Sequence, residues 1–265
     1  MDNYNLLTEK LISLNGGVKT TKLICEPTEE QLKRLKEGSG NPEAEMKQVN
    51  SSAGLAVNYW RSYEICHNDA SIEFEWKKRR PLQYGTPANI DVVIHGKNHV
   101  WFVESKFLEP YYSGNEIPVE SYEDVSKYSS NTKDAPESWV ALFQSAKSFH
   151  YYNVTQLSRH LLAISKDIQK MPKHYRGKDV MLISAVWDMP DSFLMLFTDE
   201  EREVLSMRRQ AIREEAARSE LFFNDFINKH LPDMSIEYRA IKYNDIIDQI
   251  LDQQLLAKLK QQYYL

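Results

Sequence analysis

Apolar and polar positions along this chain alternate in two rhythms, one strand-like and one helical. The clearest strand pattern is NIDVVIHGKNHVWFVESKF (89–107), two apolar runs around a short polar turn. Bounded apolar runs of this length predict strands, and the turn between them predicts a hairpin. SIEFEWKK (71–78) alternates and predicts a strand running into the basic Lys77–Arg80 and stopped by Pro81. DVMLISAVWD (179–188) predicts a buried strand, MSIEYRAIKY (234–243) a further one, and VKTTKLIC (18–25), which alternates weakly, an outer strand.

Helical spacing marks the remaining segments. TEEQLKRLKEG (28–38) predicts a short helix, with Thr28 and Gln31 placed as a capping box and Gly38 as a stop. SSAGLAVNYWRSYEI (51–65) carries Leu55, Ala56, Tyr59, Trp60 and Tyr63 at helical intervals behind two serine caps. Helices are predicted over 137–151 and 153–170, the second with Leu157, Leu161 and Ile164 along one side. A long charged helix over 199–231 is acid-rich at its front, as the helix dipole favours, and a closing helix follows the last strand. Residues 108–136, rich in Tyr, Ser, Pro, Asn and Gly, predict a long irregular segment. Strands and helices alternate enough to predict α/β layers. Three regions are expected: an N-terminal extension of strand and short helix (1–50), a core (51–190), and a helical C-terminal region packed on that core (191–265).

Composition narrows the function classes. A chain of 265 residues with 42% hydrophobic content buries a substantial core. Its net charge of −5 argues against sequence-blind DNA packaging, though not against a locally basic cleft. Cys25 and Cys66 form no CxxC pair, so neither a disulfide framework nor a zinc knuckle is suggested. No apolar run is long enough to span a bilayer, and the first residues lack the layout of a signal peptide. The expected setting is cytoplasmic, with no membrane partner.

The hairpin carries charges that its apolar surroundings do not explain. If Lys97 and Asn98 form the tip, paired positions sum to 195, which sets Asp91 opposite Glu104, with Lys106 on the same face. Directly opposed carboxylates have side-chain origins ~5 Å apart and destabilise each other. Where they are partly buried, one must protonate or a cation must neutralise the pair. Mg²⁺ is the usual oxygen-preferring choice, with Mn²⁺ as a substitute. Two acids and a lysine around such an ion suit attack of water on a phosphodiester. An E-x-K triplet alone carries little weight, since the chain has three, at Glu45/Lys47, Glu75/Lys77 and Glu104/Lys106. Only the third follows an apolar strand paired with another that begins with an acid.

The helix SSAGLAVNYW, the strand IEFEWKKRRP, and then PANIDVVI and VWFVESKF resemble the PD-(D/E)XK nuclease superfamily, and more narrowly bacterial restriction endonucleases, over roughly residues 51–187. The resemblance implies a restriction-endonuclease-like core: a central mixed β-sheet flanked by helices, here with an added helical C-terminal region. It implies that Asp91 and Glu104 bind the metal, that the backbone carbonyl of Ser105 is a further ligand, and that Lys106 is catalytic. The superfamily's Pro-Asp pair stands here as Ile90-Asp91, with Pro87 four residues earlier. An extra upstream acid is implied as well. Glu75 is preferred for its place before the basic run, against a reading as a strand glutamate paired with Lys77; Glu64 is the other choice.

Downstream, TQLSRHLLA resembles a glutamine-bearing helix of these nucleases. Gln156, Arg159 and His160 share one polar edge at helical spacing. Gln156 is placed at the site and Arg159 on the DNA backbone, while His160 reads as a satisfied buried histidine. Lys77, Lys78, Arg79 and Arg80 are further backbone candidates, with a solvated loop as the equal alternative. Arg208, Arg209 and Arg213, interleaved with acids, read as a solvated helix face. The function expected is a Mg²⁺-dependent DNA endonuclease of restriction type, working as a homodimer. A nuclease-fold DNA-binding or scaffolding module, or a repair or recombination nuclease, are the alternatives.

Overall fold

A computed structural model of the chain describes residues 3–38, 42–112, 120–129 and 135–265. Four helices precede the sheet: α1 (Asn3–Leu14), α2 (Glu29–Gly38), α3 (Pro42–Met46) and α4 (Ser52–Cys66). The antiparallel strands β1 (Ser71–Trp76), β2 (Ile90–His95) and β3 (His99–Lys106) follow. Helices α5 (Glu109–Tyr112), α6 (Pro136–Ala146), α7 (Val154–Lys170) and α8 (Pro172–Tyr175) lead to β4 (Asp179–Val186), parallel to β3. After α9 (Asp191–Leu194) and the long α10 (Asp199–His230), β5 (Ile236–Lys242) joins parallel to β4. The chain closes with α11 (Tyr243–Ile246) and α12 (Gln253–Tyr263). The result is one five-stranded mixed sheet in the order β1-β2-β3-β4-β5, the α/β arrangement expected of the pattern.

Local chemistry accounts for the element ends. Thr28 and Gln31 cap α2 reciprocally, with Thr28 N donating to Gln31 Oε1 at 2.9 Å and Gln31 N to Thr28 Oγ1 at 3.2 Å. Ser51 caps α4 by accepting from Gly54 N. Thr198 and Glu201 form a full capping box at the start of α10. Where a helix was expected to close the chain without a break, a turn interrupts it, and Asp252 opens α12 by accepting from Gln254 N and Leu255 N.

Two helical layers sandwich the sheet. Side chains at 102 and 104 of β3 face α10 and α7, those at 103 and 105 face α4 and the C-terminal helices, and Lys106 at the strand end borders both sides. The helical layers are tied in by buried polar contacts. Ser105 Oγ lies 2.7 Å from Tyr243 Oη, which also accepts from Trp60 Nε1 at 3.2 Å. Trp187 Nε1 donates to Tyr263 O at 2.7 Å.

Residues 18–25 form no strand; their one ladder contact is an isolated bridge between Thr20 and Gln48. Side chains of α2 and α4 take the main-chain groups of β1 at Ile72, Gln31 Nε2 donating to Ile72 O and Glu64 Oε1 accepting from Ile72 N. Instead Ile24 N is satisfied by Asn58 Oδ1 at 2.7 Å. The irregular segment expected over 108–136 is interrupted by α5 and by short helical turns at Glu120–Tyr122 and Val125–Lys127, and residues 113–119 and 130–134 of it lie outside the described residues. Residues 191–265 contribute β5 to the central sheet in addition to helices.

Candidate active site

The β2–β3 hairpin pairs as its turn requires. His95 faces Val100, Ile94 faces Trp101, Val93 faces Phe102 and Val92 faces Val103, so every pair sums to 195. The tip is tight: Gly96 N donates to His99 O at 3.0 Å, and a Cβ at Gly96 would lie 2.2 Å from the His99 ring. The next opposed positions are Asp91 and Glu104. There the backbone ladder ends, and Asp91 Oδ2 accepts from Ser105 N at 2.8 Å. A carboxylate thus takes the place of a main-chain carbonyl at the point where the two strands part.

Glu104 is 2% exposed and accepts through both oxygens. Its Oε1 accepts from Lys106 Nζ at 2.7 Å and from Gln156 Nε2 at 2.6 Å, and its Oε2 from His160 Nε2 at 2.9 Å. Gln156 and His160 are one helical turn apart on α7, so a single helix edge reaches both oxygens. Asn153 caps that helix, accepting from Gln156 N at 3.1 Å, and its amide donates to Gln156 Oε1 at 2.9 Å. That second bond fixes which end of the Gln156 amide meets Glu104.

Glu75 reaches the same neighbourhood by a backbone distortion. Phe74 pairs with Val92 and Trp76 with Ile90, but Glu75 between them adopts φ 55°, a left-handed conformation that costs of order 1–3 kcal/mol for a non-glycine residue. Asn89 Nδ2 holds its Oε2 at 2.6 Å. Glu75, Asp91, Ser105, Lys106 and Glu109 line one cavity of about 180 Å³ under α4. Glu104, Lys106, Glu109, Asn153 and Tyr152 line a second of about 120 Å³ on the α7 side. Lys106 and Glu109 therefore stand between two openings. Glu109 carried no sequence signal; it is placed by accepting from Ser52 Oγ at 2.6 Å and from Phe107 N at 2.9 Å.

The charges are strongly mismatched. Burial, then the Glu104 carboxylate, pushes the Asp91 carboxyl well above its ordinary range. Burial also raises Glu75, with Glu104 adding to the effect. For Glu104, burial acts upward but the opposing charges of Lys106 and His160 outweigh it, leaving the group below its usual range. Burial would lower Lys106, yet Glu104, Asp91 and Glu109 together hold it as an ammonium.

Among the described residues no three of His, Cys, Asp and Glu converge as a ready-made metal cluster. Mg²⁺ is commonly held by one or two carboxylates with water and substrate phosphate, so a two-carboxylate site is of the right kind. The donor set also fits in charge: Asp91 and Glu75 are acids disfavoured as anions by burial and then by the Glu104 carboxylate, the strain a divalent cation relieves. Glu104 uses three of about four lone-pair directions and keeps one.

The other candidate residues are placed differently. Glu64 holds elements together, accepting from Gln31 Nε2 and Ile72 N and pairing with Arg61, away from both cavities. In the basic run, Lys77 lies 3.7 Å from Glu75, Lys78 2.8 Å from Glu73, and Arg79 2.6 Å from the buried Asp167. Arg80 is exposed. Arg159 pins the loop ahead of β2, donating to Thr86 Oγ1 and Pro87 O, each at 2.8 Å. Arg208, Arg209 and Arg213 do not form a solvated face. Arg208 donates to Pro110 O and stacks over the Tyr151 ring at 3.8 Å, Arg209 donates to Met189 O, and Arg213 grips Asp188 through two nitrogens. Buried carbonyls and a carboxylate needed those donors. Glu215 on the same helix accepts from the backbone nitrogens of His150, Tyr151 and Tyr152, each at 2.8 Å, and so shapes the loop that enters α7.

No helix among the described residues is long and apolar enough to cross a membrane. No curated protein and no solved structure matches the chain. A protein family described as REase-ARP, restriction endonuclease associating with ARP, matches residues 17–264. With nearly the whole chain covered, and a five-stranded mixed sheet flanked by helices beneath it, the protein belongs to this restriction-endonuclease family and has the restriction-endonuclease-like fold.

Proposed function

We propose that the protein is a metal-dependent DNA endonuclease of restriction type, hydrolysing phosphodiester bonds at the point where β2 and β3 part. The observation that carries this reading is the meeting of Asp91, Glu104 and Lys106 at the end of the hairpin, with Glu75 turned toward them. Family membership gives the coarser frame of a nuclease-type protein with DNA as partner. Asp91, Glu104 and the Ser105 carbonyl would hold Mg²⁺, or Mn²⁺ in its place, with Glu75 as the supplementary acid. When bound, the ion supplies charge for the phosphoryl oxygens and acidity for the attacking water.

The chain's own groups supply the rest. Lys106, which lines both cavities and pairs with Glu104, is placed to donate to a phosphate oxygen and to orient or deprotonate the attacking water. Gln156 keeps Glu104 in place from α7. Asp91, bonded to Ser105 N, holds the two strands at a fixed spacing. Of the basic run, Lys77, Lys78 and Arg80 are the DNA-backbone contacts in this reading, while Arg79 and Arg159 act indirectly by bracing the loop that carries them. Cutting both strands needs two such sites, so a homodimer is the working form.

The test is cleavage of mixed plasmid and genomic DNA with Mg²⁺ or Mn²⁺ by wild type, Lys106→Ala and wild type with EDTA. Discrete fragments lost in both controls are expected. Fragments that persist with Lys106→Ala would refute the assignment to this hairpin, and DNA binding without any cutting would leave a scaffolding protein.

A further inference from the structure

A histidine that only packs a core has little reason to leave a ring nitrogen unpaired. His160 is 1% exposed, and its Nδ1 is buried and takes no hydrogen bond among the described residues. Among the described residues its ring meets one polar partner, Nε2 lying 2.9 Å from Glu104 Oε2. An unsatisfied buried nitrogen works against folding, so the residue is not explained by the stability of α7 alone. Nor is Glu104 short of partners without it, since Oε1 already accepts from Lys106 and Gln156.

What His160 adds is control of the second oxygen. Donors to Oε1 hold that oxygen, and without a donor of its own Oε2 is held only through it. A donor on Oε2 from the same helix edge fixes the plane. Gln156 and His160 both come from α7, and Asn153 at its cap sets the Gln156 amide, so the clamp is built on one rigid element. Lys106 is different. It lines both cavities and sits two residues along the same strand, where a substrate phosphate would draw its ammonium away from Glu104.

We propose that His160 is a positioning residue: with Gln156 it clamps the Glu104 carboxylate so that its free lone pair stays aimed at the metal position while Lys106 moves to the substrate. This rests on the metal-dependent reading above. Neighbours that orient a metal-binding carboxylate typically matter ~10–100-fold in metal affinity.

The experiment measures Mn²⁺ affinity by electron paramagnetic resonance, together with kcat and KM on supercoiled plasmid, for wild type, His160→Leu and His160→Gln. The glutamine amide nitrogen reaches the place of Nε2, whereas leucine fills the space without a donor. Expected for His160→Leu are a ~10–100-fold loss of Mn²⁺ affinity, a matching fall in kcat, and KM for DNA within about twofold of wild type. His160→Gln is expected to recover most of both losses. If His160→Leu does not fold, His160→Asn, whose shorter amide stops short of Glu104, takes its place with the same expected loss. Unchanged Mn²⁺ affinity in the folded leucine or asparagine variant, or a glutamine variant as weak as leucine, would overturn the inference alone. A wild-type protein that binds no Mn²⁺ would overturn both the inference and the metal-dependent reading.

Discussion

Glu215 offers a sharp test of how the far helix shapes the site. It is 8% exposed, and its two oxygens accept from three consecutive main-chain nitrogens, His150 to Oε1 and Tyr151 and Tyr152 to Oε2. Hydrogen bonds to an ionised acceptor contribute ~1.5–3 kcal/mol each, roughly twice a neutral one. Glu215→Gln keeps the shape but replaces one oxygen with an NH₂ group. The best rotamer keeps the oxygen on Tyr151 and Tyr152 and sets the NH₂ against His150 N–H, losing one bond outright and weakening two. The expected destabilisation is about 3 kcal/mol, read as a lower urea midpoint at unchanged slope. At ~2–4 °C per kcal/mol for a chain of this size, the melting temperature should fall by ~6–12 °C. Arg218, half exposed and 3.7 Å from Glu215, also donates to Ser148 O and lies over the Phe149 ring, so Arg218→Ala should cost about 1–2 kcal/mol, less than Glu215→Gln. A Glu215→Gln loss below about 0.5 kcal/mol would show that the loop holds itself and that α10 does not set the entry to α7.

Two further substitutions separate structural from substrate roles. Arg79→Ala leaves Asp167, 2% exposed, without its cation and should destabilise by about 3–5 kcal/mol; a DNA-contact role would instead show as lost DNA affinity in a protein of unchanged urea midpoint. Glu73 is raised by burial, but its hydrogen bonds from His95 and Lys78 and the charges of Lys78 and Arg34 outweigh this and hold it at about 2. Its folded-state value lies below the unfolded one, so its stabilisation is complete above about pH 4.5 and is lost as pH falls toward 2. With Arg34 and Lys78 close to half exposed, that stabilisation is about 1–2 kcal/mol after solvent screening. The gap in urea midpoint between wild type and Glu73→Gln should therefore narrow steadily from about pH 4.5 toward pH 2, and a gap constant over that range would refute the pairing.

Much of the sheet was legible because strand pairing obeys parity. Once the tip is placed at Lys97 and Asn98, the sum of 195 follows for every pair, and with it the opposition of Asp91 to Glu104. Capping chemistry is local, so the Thr28–Gln31 box could be read directly, and the helix at 51–65 could be given a serine cap, which the structure assigns to Ser51. Three features could not. The left-handed turn at Glu75 is a backbone event in a strand whose side-chain pattern is unbroken. The arginines of α10 look solvated because acids surround them in sequence, yet their partners are carbonyls of residues 110 and 189 and the carboxylate of Asp188, all remote in the chain. Glu109 and His160 depend in the same way on tertiary neighbours: Glu109 on Ser52, His160 on Glu104. The weak alternation at 18–25 misled because a strand also needs partner groups, and those of β1 at Ile72 are taken by Gln31 and Glu64.

The most direct measurement is anomalous diffraction at the manganese edge from crystals of the protein grown with Mn²⁺. One peak is predicted where the Asp91 and Glu104 carboxylates and the Ser105 carbonyl converge, with oxygen distances near ~2.2 Å, and it should vanish in Asp91→Asn. A peak elsewhere, with the hairpin carboxylates left bound only to Lys106, Gln156, His160 and Ser105, would contradict a nuclease site at this hairpin.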